Sequence, residues 1–136
     1  MQLDPTAFVA DAELVEALAQ RATPIACNED RILFRQGDEP SGLYVLQSGQ
    51  AVLTMNSVNG DPVLAFEAIP RSLLGLPGVV SNQPYTLTAV ACAGADVCFI
   101  SCEQFKSFMQ SYPLHAFKIL QVLAAEVSAA RRAISQ

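Results

Sequence analysis

The sequence predicts a mainly β protein, a closed antiparallel roll or barrel with helices before and after it. Short apolar runs separated by turn residues occupy the middle of the chain, which is typical of rolls and barrels. Apolar residues at helical spacing occupy both ends. With 136 residues, 51% of them hydrophobic and 15% charged, we expect one domain over 1–136. Its parts are an N-terminal helical segment at 1–24, a β-roll at 25–101 and C-terminal helices at 102–136.

The N-terminal segment carries two helix-start signals. Asp4 can cap a helix whose first turn holds Pro5, a position that favours proline. Asp11 offers a second cap before an apolar helical face. We expect this helix to end near Ala22, because the residue before Pro24 is driven out of the helical region.

The middle of the chain alternates between strands and turns. The predicted strands are 31–35, 43–46, 50–55, 63–69, 85–91 and 96–100. Asn59-Gly60 predicts a two-residue hairpin turn of type I′, in which both central residues need positive φ. The 24 residues from Ser72 to Ala95 are uncharged, but proline, glycine and a polar run interrupt them. We interpret them as strand, turn and strand rather than as a membrane span.

The last third of the chain returns to a helical period. Ser101 and Gln104 fit a capping box that opens a short helix, and Pro113 then opens a long helix that runs to about Ile134. Six apolar residues of the long helix follow spacings of 4, 3, 4, 3 and 4, namely Ala116, Leu120, Leu123, Val127, Ala130 and Ile134. This spacing is typical of a coiled coil. We predict a homodimer through Leu120, Leu123, Val127, Ala130 and Ile134.

Charge and composition exclude several classes of function. The net charge is −5, from 8 basic and 13 acidic residues, and duplex binding needs a basic face. We therefore expect no direct nucleic-acid binding. His115 is the single histidine, so we expect no metal ion and no cofactor. No motif assembles a catalytic set, so we expect no enzyme activity.

The four cysteines do not form a cluster motif. No two of them are spaced as CxxC, the spacing of many iron–sulfur and zinc sites. We interpret them as small buried residues with reduced thiols. Cys102 differs because it stands at a predicted helix start, which lowers the pKa of a thiol.

A familiar pattern lies between Leu33 and Ala51. The glycines at Gly37 and Gly49, with the strand 43–46 between them, resemble the cyclic-nucleotide-binding-domain superfamily. The resemblance is strongest to the sensor domain of the catabolite-activator (CRP/FNR) type. It implies a double-stranded β-helix, a jelly-roll-like roll, with N-terminal helices, a short cassette helix and a long C-terminal helix.

The resemblance also implies where a ligand would bind. Family members hold a cyclic nucleotide in a phosphate-binding cassette, whose glutamate binds the ribose 2′-hydroxyl and whose arginine pairs with the cyclic phosphate. In this chain Leu76 stands at the glutamate position, and Tyr85 or Thr86 stands at the arginine position. The candidate ligand residues are Gly75, Leu76, Gly78, Val79, Tyr85 and Thr86. Without both anchors we expect cyclic AMP and cyclic GMP not to bind in the usual way.

These observations favour a non-catalytic sensor module with an unknown, less anionic ligand. The alternative is a structural interaction and dimerisation module whose pocket is filled by its own side chains, and a small enzyme is the weakest alternative. No helix-turn-helix follows Ile134, so the module would act through partner proteins or as part of a longer polypeptide. The N-terminus lacks the pattern of a signal peptide. We therefore expect a cytoplasmic protein without membrane contact.

Overall fold

Two antiparallel sheets form the centre of the fold, and the computed structural model describes residues 3–135. The strands are β1 Thr23–Ile25, β2 Arg31–Phe34, β3 Gly42–Ser48, β4 Ala51–Asn56, β5 Pro62–Ala68, β6 Ser72–Leu74, β7 Thr88–Ala91 and β8 Asp96–Ser101. One sheet has the order β1-β8-β3-β6 and the other β2-β7-β4-β5. The predicted fold class, mainly β with a jelly-roll-like β-roll and flanking helices, is confirmed.

The helices flank the two sheets. A 3₁₀ helix at Pro5–Phe8 is followed by α1 Ala12–Ala19, α2 Leu76–Ser81, α3 Cys102–Ser111 and α4 Pro113–Ser135. Both predicted N-terminal caps form: Asp4 accepts from the Thr6 amide at 3.0 Å and Asp11 from the Leu14 amide at 2.8 Å. The predicted capping box at Ser101 forms with both of its hydrogen bonds. Each of these helices therefore begins where the sequence predicts.

Two predicted boundaries differ from the structure by three residues each. Helix α1 ends at Ala19 rather than near Ala22, because the chain turns there so that Thr23 can pair with Phe99 of β8. Strand β7 begins at Thr88 rather than at Tyr85. The Tyr85 backbone instead bonds the 36–42 turn, through Gly37 N–H at 2.8 Å and the Asp38 carbonyl at 2.9 Å.

The type I′ turn predicted at Asn59-Gly60 is wrong, although the hairpin is present. Of these two residues only Gly60 has positive φ, at 87°. Its N–H bonds the Ser57 carbonyl at 2.9 Å, and the Ser57 N–H bonds the Asp61 carbonyl at 2.8 Å. The connection is therefore a five-residue loop over 57–61. The side chain of Gln36 donates to the Asn56 carbonyl and accepts from the Asn56 amide, each at 2.9 Å, and so holds the end of β4 before this loop.

Helix α4 packs on the rest of the molecule along both of its halves. Lys118 pairs with Asp11 at 2.8 Å, so the start of α1 is joined to α4. Just before α4, at the C-cap of α3, the Tyr112 ring lies 4.5 Å from the Arg21 guanidinium, which also donates to the Tyr112 hydroxyl. In the second half of α4, Ala129 packs on Phe8 of the 3₁₀ helix. None of the helices in residues 3–135 combines the length and apolar character that crossing a bilayer requires.

Candidate functional site

A cavity of about 420 Å³ lies between the β-roll and the second half of α4. Its volume falls in the range of small-molecule sites. The roll and the N-terminal residues supply Leu3, Phe8, Phe34, Leu53, Met55, Val63 and Leu64. The cassette of this chain consists of Gly75 and helix α2. The cassette and the segment after it supply Gly75, Pro77, Gly78, Tyr85, Thr86 and Leu87. Helix α4 supplies Leu123, Glu126, Val127, Ala130, Ala133 and Ile134.

The cassette owes its shape to two glycines that make room for an aromatic ring. Gly75 has φ of 91° and precedes α2 as its N-cap, a conformation that glycine adopts without strain. A Cβ at Gly75 would lie 2.8 Å from the Tyr85 ring, and one at Gly78 would lie 3.3 Å from it. Pro77 in the first turn fixes the start of the helix. The cassette therefore accommodates the Tyr85 ring beside Gly75 and Gly78.

The hydroxyl of Tyr85 is fully hydrogen-bonded within the protein. Its hydroxyl donates to the Gly42 carbonyl at 2.6 Å and accepts from the Gly42 and Ser41 amides at 3.1 and 3.0 Å. Its ring stacks on Phe34 with the centroids 4.0 Å apart. The hydroxyl ties the segment after the cassette to the start of β3. Only the apolar ring of Tyr85 is left to face the cavity.

The structure brings four of the six candidate ligand residues to the cavity wall: Gly75, Gly78, Tyr85 and Thr86. Leu76 is fully buried in the core formed with α1, α3 and α4. Val79 packs between the two main cores. Neither of these two lines the cavity, and contact of any of the six with a ligand stays a prediction.

The predicted dimer contact on α4 lies largely outside the core of this chain. This seam consists of Leu120, Leu123, Val127, Ala130 and Ile134. The helix buries a different face, formed by Ile119, Val122, Glu126, Ala129 and Ala133. On the seam, Leu120 is 52% exposed, Val127 44% and Ile134 70%, whereas Leu123 is half-buried. Four of the five seam residues also line the cavity, all except Leu120. The cavity therefore lies at the boundary between the face of α4 that packs on the roll and its exposed face.

Glu126 is a candidate site residue that the sequence pattern did not single out. It is 7% exposed and lines the cavity, and its Oε2 has no hydrogen-bond partner among the described residues. Burial raises the pKa of the Glu126 carboxyl to about 8. The sequence contains a signal for this residue. The buried residues of α4 are spaced alternately by 3 and 4, and Glu126 is the one charged residue among them.

The cavity offers no positive charge. Of the described residues on its wall, none is Lys, Arg, His or Asp. Arg71, next to the cassette in sequence, is exposed in a left-handed turn with φ of 73° and lies off the wall. An anionic ligand would therefore find no counter-charge on this wall, and it would meet the carboxyl of Glu126.

The cysteines and His115 lie away from the cavity wall. All four cysteines, Cys27, Cys92, Cys98 and Cys102, are free thiols. Burial raises the pKa of the Cys98 thiol to about 11. It also raises that of Cys102, so the lowered pKa expected at a helix start is wrong, because desolvation outweighs the helix start. His115 lies half-buried, with its ring 5.6 Å from that of Phe108. Residues 3–135 contain no group of three potential metal ligands.

Comparison with known proteins identifies the family. The model of the cyclic nucleotide-binding domain matches residues 24–112. The transcriptional activator protein FnrA of Stutzerimonas stutzeri is 27% identical over 119 residues, which cover 86% of this chain and 47% of that protein. The chain therefore spans about half the length of the curated relatives it matches.

Solved structures agree on the fold. The catabolite activator protein of Thermus thermophilus superposes with a TM-score of 0.79 at 20% identity, over 97% of this chain and 62% of that one. Oxidized CprK in complex with o-chlorophenolacetic acid gives a TM-score of 0.75 at 18% identity, over 94% and 53% of the two chains. The chain belongs to the cyclic nucleotide-binding domain family and is of the CRP/FNR type.

Proposed function

We propose that this chain is a non-catalytic, cytoplasmic sensor module whose cavity takes a small molecule other than cyclic AMP or cyclic GMP. In this proposal, occupancy of the cavity is coupled to pairing of α4 with a second copy of the chain. One observation carries the proposal. The cavity wall is shared between the roll, the cassette and the apolar seam of α4.

The chemistry of the wall disfavours a cyclic nucleotide. The family's glutamate and arginine positions hold Leu76 and Tyr85 or Thr86, and no described wall residue is a cation. Charge-assisted hydrogen bonds contribute about 1.5–3 kcal/mol each, so the loss of both anchors weakens binding by roughly two to four decades. Glu126 adds a carboxyl on the same wall. The open volume of about 420 Å³ favours a ligand site over a module with a filled pocket.

The seam supports signalling through α4. A molecule in the cavity would touch Leu123, Val127 and Ala130, which also belong to the predicted dimer contact. A ligand changes a two-state equilibrium only through contacts that differ between the states, and shared residues provide such contacts. The matched relatives are transcriptional activators. We propose by analogy that the output lies in an attached DNA-binding domain or in a partner protein, and that this chain does not itself bind nucleic acid.

Calorimetric titration with cyclic AMP and cyclic GMP tests the ligand side of the proposal. We expect no binding with a micromolar Kd to the wild-type chain. The variant Thr86→Arg places a cation on the exposed part of the cavity wall, and we expect it to bind cyclic AMP at least about tenfold more tightly than wild type. Micromolar binding by the wild-type chain would refute the exclusion of cyclic nucleotides.

A further inference from the structure

We propose that the cavity selects a hydrophobic amine, whose ammonium group pairs with the carboxylate of Glu126 while its apolar body fills the space against the roll. This inference rests on the proposed function, since it assumes that the cavity is the ligand site. It adds the chemical class of the ligand and the residue that recognises it.

The position of Glu126 carries the inference. Its side chain is 7% exposed, and its Oε2 reaches no hydrogen-bond donor in the described chain. The wall residues nearest to it in sequence, Leu123, Val127 and Ala130, carry no polar side-chain group. Tyr85 is the other titratable group on the described wall, and its hydroxyl is occupied by Gly42 and Ser41. Glu126 is thus the one titratable side chain on the described wall with a buried polar atom that has no partner.

A buried carboxyl without a partner is unfavourable when it is ionised. Either a proton on the carboxyl or a cation held against it removes this unfavourable free energy. Because burial raises the pKa of Glu126 to about 8, the free protein holds the proton near neutral pH. When a ligand ammonium arrives, the carboxyl releases that proton to solvent and accepts an N–H···O bond. An anion would meet an acid without a counter-charge, and a neutral alcohol could offer only an uncharged hydrogen bond.

The cavity also limits the body of the ligand. A volume of about 420 Å³ suits a bicyclic aromatic molecule with a short side chain. The stacked rings of Phe34 and Tyr85 and the ring of Phe8 lie on the wall. These rings favour a flat apolar ligand.

Three probes with the same ring and nearly the same side chain separate the contribution of charge from that of shape. Tryptamine is a cation at neutral pH, tryptophol (indole-3-ethanol) is neutral and indole-3-acetate is an anion. By calorimetric titration we expect tryptamine to bind most tightly and indole-3-acetate least. In Glu126→Gln the affinity for tryptamine should fall by roughly ten- to a hundredfold, while that for tryptophol changes by less than about threefold. Glu29→Gln removes an exposed carboxyl elsewhere and should change neither affinity.

Proton release gives a second readout, which a merely structural role of Glu126 would not produce. Titrations of tryptamine at pH 6.5, in two buffers of different ionisation enthalpy, count the protons released on binding. We expect close to one proton per tryptamine for wild type and none for Glu126→Gln.

The outcomes separate this inference from the proposed function. Equal affinities for the three probes, a preference for indole-3-acetate, or an unchanged affinity of Glu126→Gln for tryptamine would overturn amine selectivity and leave the cavity as a ligand site. Failure of all three probes would also overturn the inference. Calorimetric titration with indole, which has no polar side chain, then tests the proposed function. If indole binds, the cavity remains a ligand site, and if it does not, the proposed function fails as well.

Discussion

Glu126 places a titratable group where the neighbouring wall of the cavity is apolar. Its carboxyl is desolvated without a compensating charge, and burial is the sole cause of its raised pKa. A folded-state pKa above the unfolded value means that the folded chain binds the proton more tightly. The contribution of Glu126 to stability is therefore fully present at low pH. It is lost as the pH rises from about 4.5, the ordinary value, through about 8.

The variant Glu126→Gln should remove this dependence. Each unit of pH in the window contributes about 1.4 kcal/mol, so wild type should lose up to about 5 kcal/mol relative to the variant between pH 4.5 and 8. Urea unfolding of both proteins at pH 5, 6, 7 and 8 measures the difference. Other titrating groups contribute equally to both proteins, and Glu29→Gln should run parallel to wild type. A constant difference between Glu126→Gln and wild type at all four pH values would contradict the prediction.

Tyr85→Phe tests the role of a buried hydroxyl. The substitution keeps the ring on the cavity wall but removes the partner of the Gly42 amide and carbonyl and of the Ser41 amide. Leaving buried polar groups without partners costs about 1–3 kcal/mol, and we expect that loss in the free energy of unfolding. Tyr112→Phe removes an exposed hydroxyl bonded to Arg21 and should cost less than about 1 kcal/mol. Equal losses for the two variants in urea unfolding would show that the Tyr85 hydroxyl is not a tether.

At the residue scale, sequence reasoning located the cassette but not the orientation of its side chains. Chain position alone marked Leu76 and Tyr85, because motif spacing counts residues along the chain. The direction of Leu76 into the core depends on α1 and α4 packing behind it. The hydroxyl of Tyr85 finds its partners at residues 41 and 42, more than forty positions away. Contacts of that separation leave no local pattern in the sequence.

Among the elements, α1 and α4 are joined through one residue with two roles. Asp11 caps α1 through the Leu14 amide and also pairs with Lys118 of α4. These bonds and the nearby cation lower the pKa of the Asp11 carboxyl, so it is ionised at neutral pH. The cap acts within one helix, whereas the exposed ion pair links two helices.

The two roles of Asp11 can be separated by substitution. Asp11→Ala removes the cap and the pair and should cost about 1–2 kcal/mol of unfolding free energy. Lys118→Met removes only the exposed pair and should cost less than about 1 kcal/mol. Asp11→Asn keeps a capping oxygen and should resemble Lys118→Met. Urea unfolding at pH 7 measures all three, and a loss for Lys118→Met as large as that for Asp11→Ala would show that the ion pair dominates.

Helix starts were predictable because caps are local, and the boundaries of strands and loops were less so. Asp4, Asp11 and Ser101 each cap from within three residues of the amide that they bond. The 57–61 loop instead follows Asn56 at the end of β4, and Asn56 bonds the side chain of Gln36 in the distant 36–42 turn. The strand predicted from Tyr85 begins at Thr88 because the Tyr85 backbone pairs with the 36–42 turn. Long-range pairing decided both boundaries.

For the whole molecule, the unusual feature is helix α4, which has one apolar face buried in the chain and a second apolar face that is exposed. One face of α4 closes the core, and Leu120, Val127 and Ile134 on the other remain exposed in the single chain. A coiled coil with a second copy would bury these residues at a and d positions. It would also cover the side of the cavity formed by Val127, Ala130 and Ile134. Pairing and ligand entry would then depend on each other.

The double variant Leu120→Glu/Val127→Glu tests this pairing. Both side chains are about half exposed, so the single chain should tolerate the change, whereas unpaired charge buried at a seam costs several kcal/mol. By light scattering we expect wild type at twice the chain mass of 14.5 kDa and the variant at that mass. The thermal midpoint of wild type should rise with protein concentration, and that of the variant should not. Gln121→Glu/Ser128→Glu adds the same charge at two other exposed positions of α4 and should leave the dimer intact, so dissociation by this control would attribute the effect to charge rather than to the seam. A dimer that survives Leu120→Glu/Val127→Glu unchanged would place the contact between copies on another surface.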